Sequence, residues 1–136
     1  MTIIDVIGRI DTLKPNGYKQ SEKIKWLSEL DGEIKKQIID THVGGEKVVF
    51  NGYTDETPLT QKLLVDAPYD KLYLYWLESR IDYYDREQKS YNNSIDTFNV
   101  AYSEFSRYYN RTHLPKGKRT DPTTSVRYLE STEIFT

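Results

Sequence analysis

Apolar residues recur at three- and four-residue spacings from the start of the chain, where Ile3, Val6, Ile7, Ile10 and Leu13 share one side of a helix over 3–13. Gly8 is its one weak position. Lys14-Pro15-Asn16-Gly17 ends it, because the residue before a proline disfavours the α conformation and Asn-Gly favours a turn. A second stripe follows through Ile24, Leu27, Asp31, Ile34 and Ile38, thickened by Trp26, Leu30 and Ile39, with Ser21 as the expected N-cap of a helix over about 21–41. Gly44-Gly45 stops this helix. Residues 46–60 then carry a β-prone run, Val48-Val49-Phe50, before Asn51-Gly52-Tyr53, which reads as a short hairpin or an extended loop.

The longest periodic stretch runs from Pro68 to about 111. Leu72, Trp76, Leu77, Ile81, Tyr84 and Gln88 mark one face, and Tyr91, Ile95, Phe98, Tyr102, Phe105 and Tyr109 continue it at alternating spacings of four and three, the pattern of a helix packed along a seam. A break at Asn92-Asn93, with Asn93 and Asp96 as a cap, is the competing reading. Persistence of the register from Tyr84 to Tyr109 favours one long helix over a helix pair. At about 1.5 Å per residue it would span about 65 Å, more than the rest of the chain could cover, so part of its face is expected against other subunits. After His113 neither period nor helix formers remain. The expected organisation is a mainly α domain over 1–114 and an extended arm over 115–136, on which Val126 and Tyr128 sit in a β-prone patch suited to joining a neighbour's sheet edge.

Length fits this picture, since 136 residues suffice for one modest core. The hydrophobic share is only 37%, yet twelve tyrosines raise the aromatic share to 13%, which argues against wholesale disorder. Trp26, Trp76, Phe98 and Phe105 are expected in the core, whereas Tyr73, Tyr75, Tyr83 and Tyr108 fall off the main stripe and form a second aromatic face suited to a subunit or partner interface. A net charge of −2 argues against a dedicated DNA-binding surface. Arg111, Lys116, Lys118 and Arg119 form the one notable basic cluster, a candidate contact for nucleic-acid phosphates or an acidic partner.

Candidate chemistry is sparse. The absence of cysteine removes disulfides and thiol catalysis, and no apolar run is long enough for a signal core or membrane span. His42 and His113 lack metal-binding spacing and read as surface histidines near helix ends. Glu29, Asp31 and Glu33, like Asp82, Asp85 and Glu87, alternate with lysines and arginines and read as solvated helix faces. Gly44-Gly45-Glu46-Lys47 lacks the phosphate-loop pattern, and Ser21, Ser28 and Ser94 have no nucleophile context. No cofactor, metal or catalytic residue is expected.

WLSELDGEI at 26–34, LLVDAPYDKLYLYWLESRIDYY at 63–84 and YNNSIDTFNVAYSEFSRYYNRTHLPK at 91–116 resemble a family of small tailed-phage and prophage proteins regarded as head-tail connectors or adaptors. The resemblance covers about residues 1–116; Asp66 stands where other members carry proline, and the tail beyond Lys116 matches no family pattern. It implies a non-enzymatic virion component that forms a homo-oligomeric ring beneath the portal, contacts portal and tail or stopper proteins, and lets genomic DNA pass with at most transient, non-specific contact. Such a protein resides at the head-tail interface after a period in the host cytoplasm. Another head- or tail-completion protein and a cytoplasmic helical adaptor or regulatory module binding protein or nucleic acid are the alternatives.

Overall fold

The computed structural model of the chain describes residues 1–117. They form four helices, α1 (Ile3–Leu13), α2 (Gln20–Gln37), α3 (Lys71–Tyr84) and α4 (Gln88–Thr112), with short 3-10 turns at Ile39–Thr41 and Gly45–Lys47. The domain is mainly α, as its periodicity indicates. Among the described residues β pairing is confined to two isolated bridges, Thr2 with Lys62 and His42 with Pro115, so residues 46–60 take the extended alternative and not the hairpin.

α1 begins where the Thr2 hydroxyl accepts from the Asp5 amide and the Asp5 carboxylate accepts from the Thr2 amide, a reciprocal cap that satisfies two donors of the first turn. The Ile3 and Ile4 amides donate instead to Gln61 O and Leu59 O, which ties the helix start to the extended segment. Ile3, Val6, Ile7 and Ile10 are buried, while Leu13 stays largely exposed.

α2 starts one residue before Ser21, and its N-cap position, Lys19, offers no side-chain hydrogen bond. Ser21 is therefore a first-turn residue and not the cap. The helix also ends at Gln37, earlier than its apolar stripe, and tightens into the 3-10 turn that carries Ile39 into the core. Gly44 takes φ 89°, and at Gly45 a Cβ would lie 2.2 Å from Ile39 O, so this close chain reversal admits only glycine at the second position.

The stretch after Pro68 takes the helix-pair alternative and not the single long helix, and the break falls at 85–87 and not at Asn92-Asn93. Pro68 lies in a turn closed by the Tyr69 amide on Asp66 O, and α3 begins three residues later at Lys71. α3 then ends at Tyr84. Asp85 caps it, Arg86 takes φ 61°, the Arg86 amide donates to Tyr83 O and the Glu87 amide to Asp82 O. This pair of bonds around a left-handed residue is a Schellman stop, built here without its usual glycine. Asn92 and Asn93 lie inside α4. The seam that looked as though it needed a second subunit is filled by the chain itself: α3 and α4 pack as a hairpin, with Trp76 against Phe98 at 5.1 Å between ring centres.

The core gathers one face of every helix. Leu27, Leu72, Tyr73, Leu77 and Ile81 are fully buried beside Ile3, Val6 and Ile34. Burying a leucine of this kind contributes about 1.5–3 kcal/mol. Trp26, Phe98 and Phe105 join them as expected, while Trp76 is only partly covered and donates its indole N–H to Trp26 O at 2.9 Å.

Candidate interaction surface at the helix hairpin

The expected aromatic face is divided by the fold. Tyr73 is completely buried and cannot meet a partner. It lies one position beyond Leu72 on a helix covered by α1, α2 and α4 together, so its face is as interior as the main stripe. Tyr75 is partly buried, and Tyr108 stacks on Tyr69 at 4.5 Å, which leaves both only part of their surface to offer. Tyr83 stays 52% exposed at the end of α3. Val126, Tyr128, Lys118 and Arg119 lie outside the described residues; Arg111 and Lys116, the other two members of the basic cluster, are exposed.

Around Tyr83 the structure assembles a band that residue spacing did not reveal. Tyr18 meets Trp26 edge-on at 5.5 Å, Trp26 stacks on Tyr84 at 5.5 Å and 7°, Tyr84 meets Tyr83 at 5.1 Å, and Tyr83 meets Tyr91 at 5.5 Å. The band crosses from the α1–α2 linker over α2 and α3 to the start of α4. The Arg80 guanidinium lies 4.3 Å from the Trp76 ring centre and 5.2 Å from that of Tyr83, a cation–π position that holds the rings at this corner. An open cavity of about 660 Å³ adjoins it, lined by Tyr83, Tyr84, Arg86, Glu87, Gln88 and Tyr91. Tyr18 OH donates to Asp85 at 2.7 Å, and this bond to a carboxylate pushes the phenol up to about 12.

The carboxylates expected on solvated faces have two exceptions. Asp31 is wholly buried, and its oxygens accept from Tyr53 OH at 2.5 Å, Tyr73 OH at 2.6 Å and the Leu64 amide at 3.1 Å. The Val65 amide donates in turn to the Tyr73 phenol oxygen Oη at 2.8 Å. One side chain of α2 thus fastens α3 and the extended segment. Burial raises the Asp31 carboxyl above its usual value despite these three donors, and burial together with the neighbouring carboxylate raises Tyr53 and Tyr73. Asp82 is also buried, with Lys14 Nζ at 2.8 Å and Ser94 Oγ donating at 2.9 Å, which links α1, α3 and α4. Asp31 does fall on the apolar stripe of α2, a signal that could have marked it as interior.

His42 is likewise interior and not a surface histidine. Its Nδ1–H donates to Ile38 O at 2.5 Å, Nε2 pairs with the Asn110 side chain at 2.7 Å, and the ring meets Tyr109 edge-on at 4.8 Å. Beside it the Val43 amide donates to Leu114 O and the Lys116 amide to Thr41 O, so the chain as far as Lys116 is tied to the helical body. His113, as expected, is exposed; it stacks on Tyr109 at 3.8 Å. Among the described residues no group of three or more His, Asp or Glu is placed to hold a metal ion, and no helix is long and apolar enough to cross a membrane.

No family model, curated protein sequence or solved structure matches this chain.

Proposed function

We propose that the chain is a structural adaptor that works by protein–protein contact, and that it serves as a head-tail connector of a tailed phage. The observation that carries the contact role is the continuous aromatic band from Tyr18 to Tyr91, half exposed at Tyr83 and Tyr84 and locked by Arg80. Tyrosine, tryptophan and arginine are the residues on which interfaces concentrate their binding energy, since large rings bury area with little loss of rotamer freedom. The connector role itself is supported by the sequence resemblance over 1–116 and by a helical body small enough to act as one wall segment of a ring.

In this reading Tyr83, with the exposed parts of Tyr75 and Tyr108, meets a neighbouring subunit, and head-to-tail contacts close into a ring when the rotation between subunits divides a full turn. The described residues end at the face carrying Arg111 and Lys116, which in this reading is turned toward portal or tail components. A mildly acidic ring would let duplex DNA pass without gripping it, because grip on phosphates requires clustered positive charge. Electron microscopy of the concentrated full chain tests the proposal: annular particles of one diameter are expected, and a field of chain-sized particles at every concentration would contradict a self-assembling ring.

A further inference from the structure

The α3–α4 turn is self-complementary, and we infer that the free chain pairs with a second copy of itself through this turn about a two-fold axis. The inference rests on the foregoing reading only in taking the aromatic end of the hairpin as a contact surface.

Charge selects the partner. Asp85, Arg86, Glu87 and Lys89 are all exposed and alternate in sign, so their charges cancel. A polyanion or an anionic lipid surface needs charge of one sign, which this turn does not offer. What matches an alternating row is the same row reversed. With the axis placed between Arg86 and Glu87 at the tip of the turn, each Arg86 faces the other copy's Glu87. The arrangement yields two equivalent ion pairs, as an isologous interface must, since residue i meets j and j meets i.

The local structure is prepared for this contact. The left-handed Arg86 reverses the chain within three residues and brings Tyr84, Arg86, Glu87 and Gln88 around one open cavity. The Tyr84 ring is already fixed by stacking on Trp26, and Tyr83 by Arg80 and Tyr91, so pairing immobilises few further rotamers. Asp85 is engaged by Tyr18, which leaves Glu87 as the acidic partner for Arg86. The patch is small beside the ~1,200 Å² of a stable interface, so the dimer is weak.

Sedimentation equilibrium of the full chain at low salt, from about ten micromolar to one millimolar, reads the association directly. The mass should rise from 16.0 kDa toward twice that value with increasing concentration, and the rise should weaken with added salt. Arg86→Glu and Glu87→Arg should each weaken dimerisation at least tenfold by opposing like charges, and the double exchange should restore it, because each position then again faces an opposite charge on the other copy. Circular dichroism verifies that each variant folds; should Arg86→Glu fail at its left-handed position, Glu87→Arg and Lys89→Glu are free of that constraint. A monomer throughout the range overturns the inference, as do single exchanges without effect or a double exchange that does not rescue. Annular particles formed equally by wild type and by both single exchanges would sink the two-fold contact and leave the connector reading standing. A charge-rescued dimer without annuli would do the reverse.

Discussion

The Tyr73 hydroxyl donates to Asp31 across the α2–α3 contact at 2.6 Å, and both side chains are fully buried. Around this bond the extended segment 48–66 is fastened at Tyr53, Leu64 and Val65, the last through the phenol oxygen that accepts the Val65 amide. A surface reading of either residue misses the role, because neither contributes by reaching solvent.

Tyr73→Phe keeps the ring and deletes the link, leaving the Val65 amide without its acceptor. It should lower stability by about 1–3 kcal/mol in urea unfolding. Asp31→Ala should cost more, since three donors lose one acceptor. A Tyr73→Phe chain as stable as wild type would remove this pair from the architecture.

The same carboxylate has a pH signature. Burial raises its folded-state value above the ordinary 3.8, so its contribution to stability is fully present below the unfolded value and is lost as pH rises through the folded one. Asp31 therefore does not drive acid unfolding, in contrast to Asp5, whose value is lowered by its Thr2 bonds. Carbon-13 titration of the side-chain carboxyls should place the Asp31 midpoint above 3.8; a midpoint at or below it would contradict the arrangement.

Tyr18 offers a second titration. Its phenol, pushed up to about 12 by Asp85, favours the folded state fully below the usual tyrosine value near 10, and that contribution is lost as pH rises toward 12. Asp85→Asn should bring one tyrosine back toward 10 in an ultraviolet titration. An unchanged profile would mean that the aromatic band is not anchored at this end.

At the hairpin turn, Arg86→Gly relieves a left-handed backbone at φ 61° and should stabilise the chain by about 1 kcal/mol, whereas Arg86→Val should destabilise it. The glycine variant should also lose the two-fold pairing, which separates folding from association at one position. Thermal unfolding of the two variants checks the first half; a glycine variant no more stable than the valine one would argue against the Schellman stop.

These residues also mark how far the sequence could be read. Helical class, the α1 stripe and the burial of Trp26, Phe98 and Phe105 followed from three-and-four spacing, which survives in any helix that buries a face. The α3–α4 break was hidden because the stop uses Arg86 where glycine would have announced it, and because two antiparallel helices sharing a seam present the same running register as one helix facing a neighbour. Asp31, Asp82 and His42 looked like surface residues because burial of a polar group depends on hydrogen-bond partners that arrive from distant segments: Tyr53 and Tyr73, Ser94, Asn110. The aromatic band was illegible for the same reason, since Tyr18, Trp26, Tyr84 and Tyr91 come from four parts of the chain and meet only after folding.

Light scattering of the full chain over a wide concentration range, alongside a Tyr83→Ser variant, bears most directly on assembly through the aromatic end of the hairpin. The account expects the wild-type mass to climb above 16.0 kDa to a discrete oligomer and the variant to lag behind it at every concentration. A wild-type chain that remains at 16.0 kDa throughout, or a Tyr83→Ser chain that assembles as well as wild type, would contradict it.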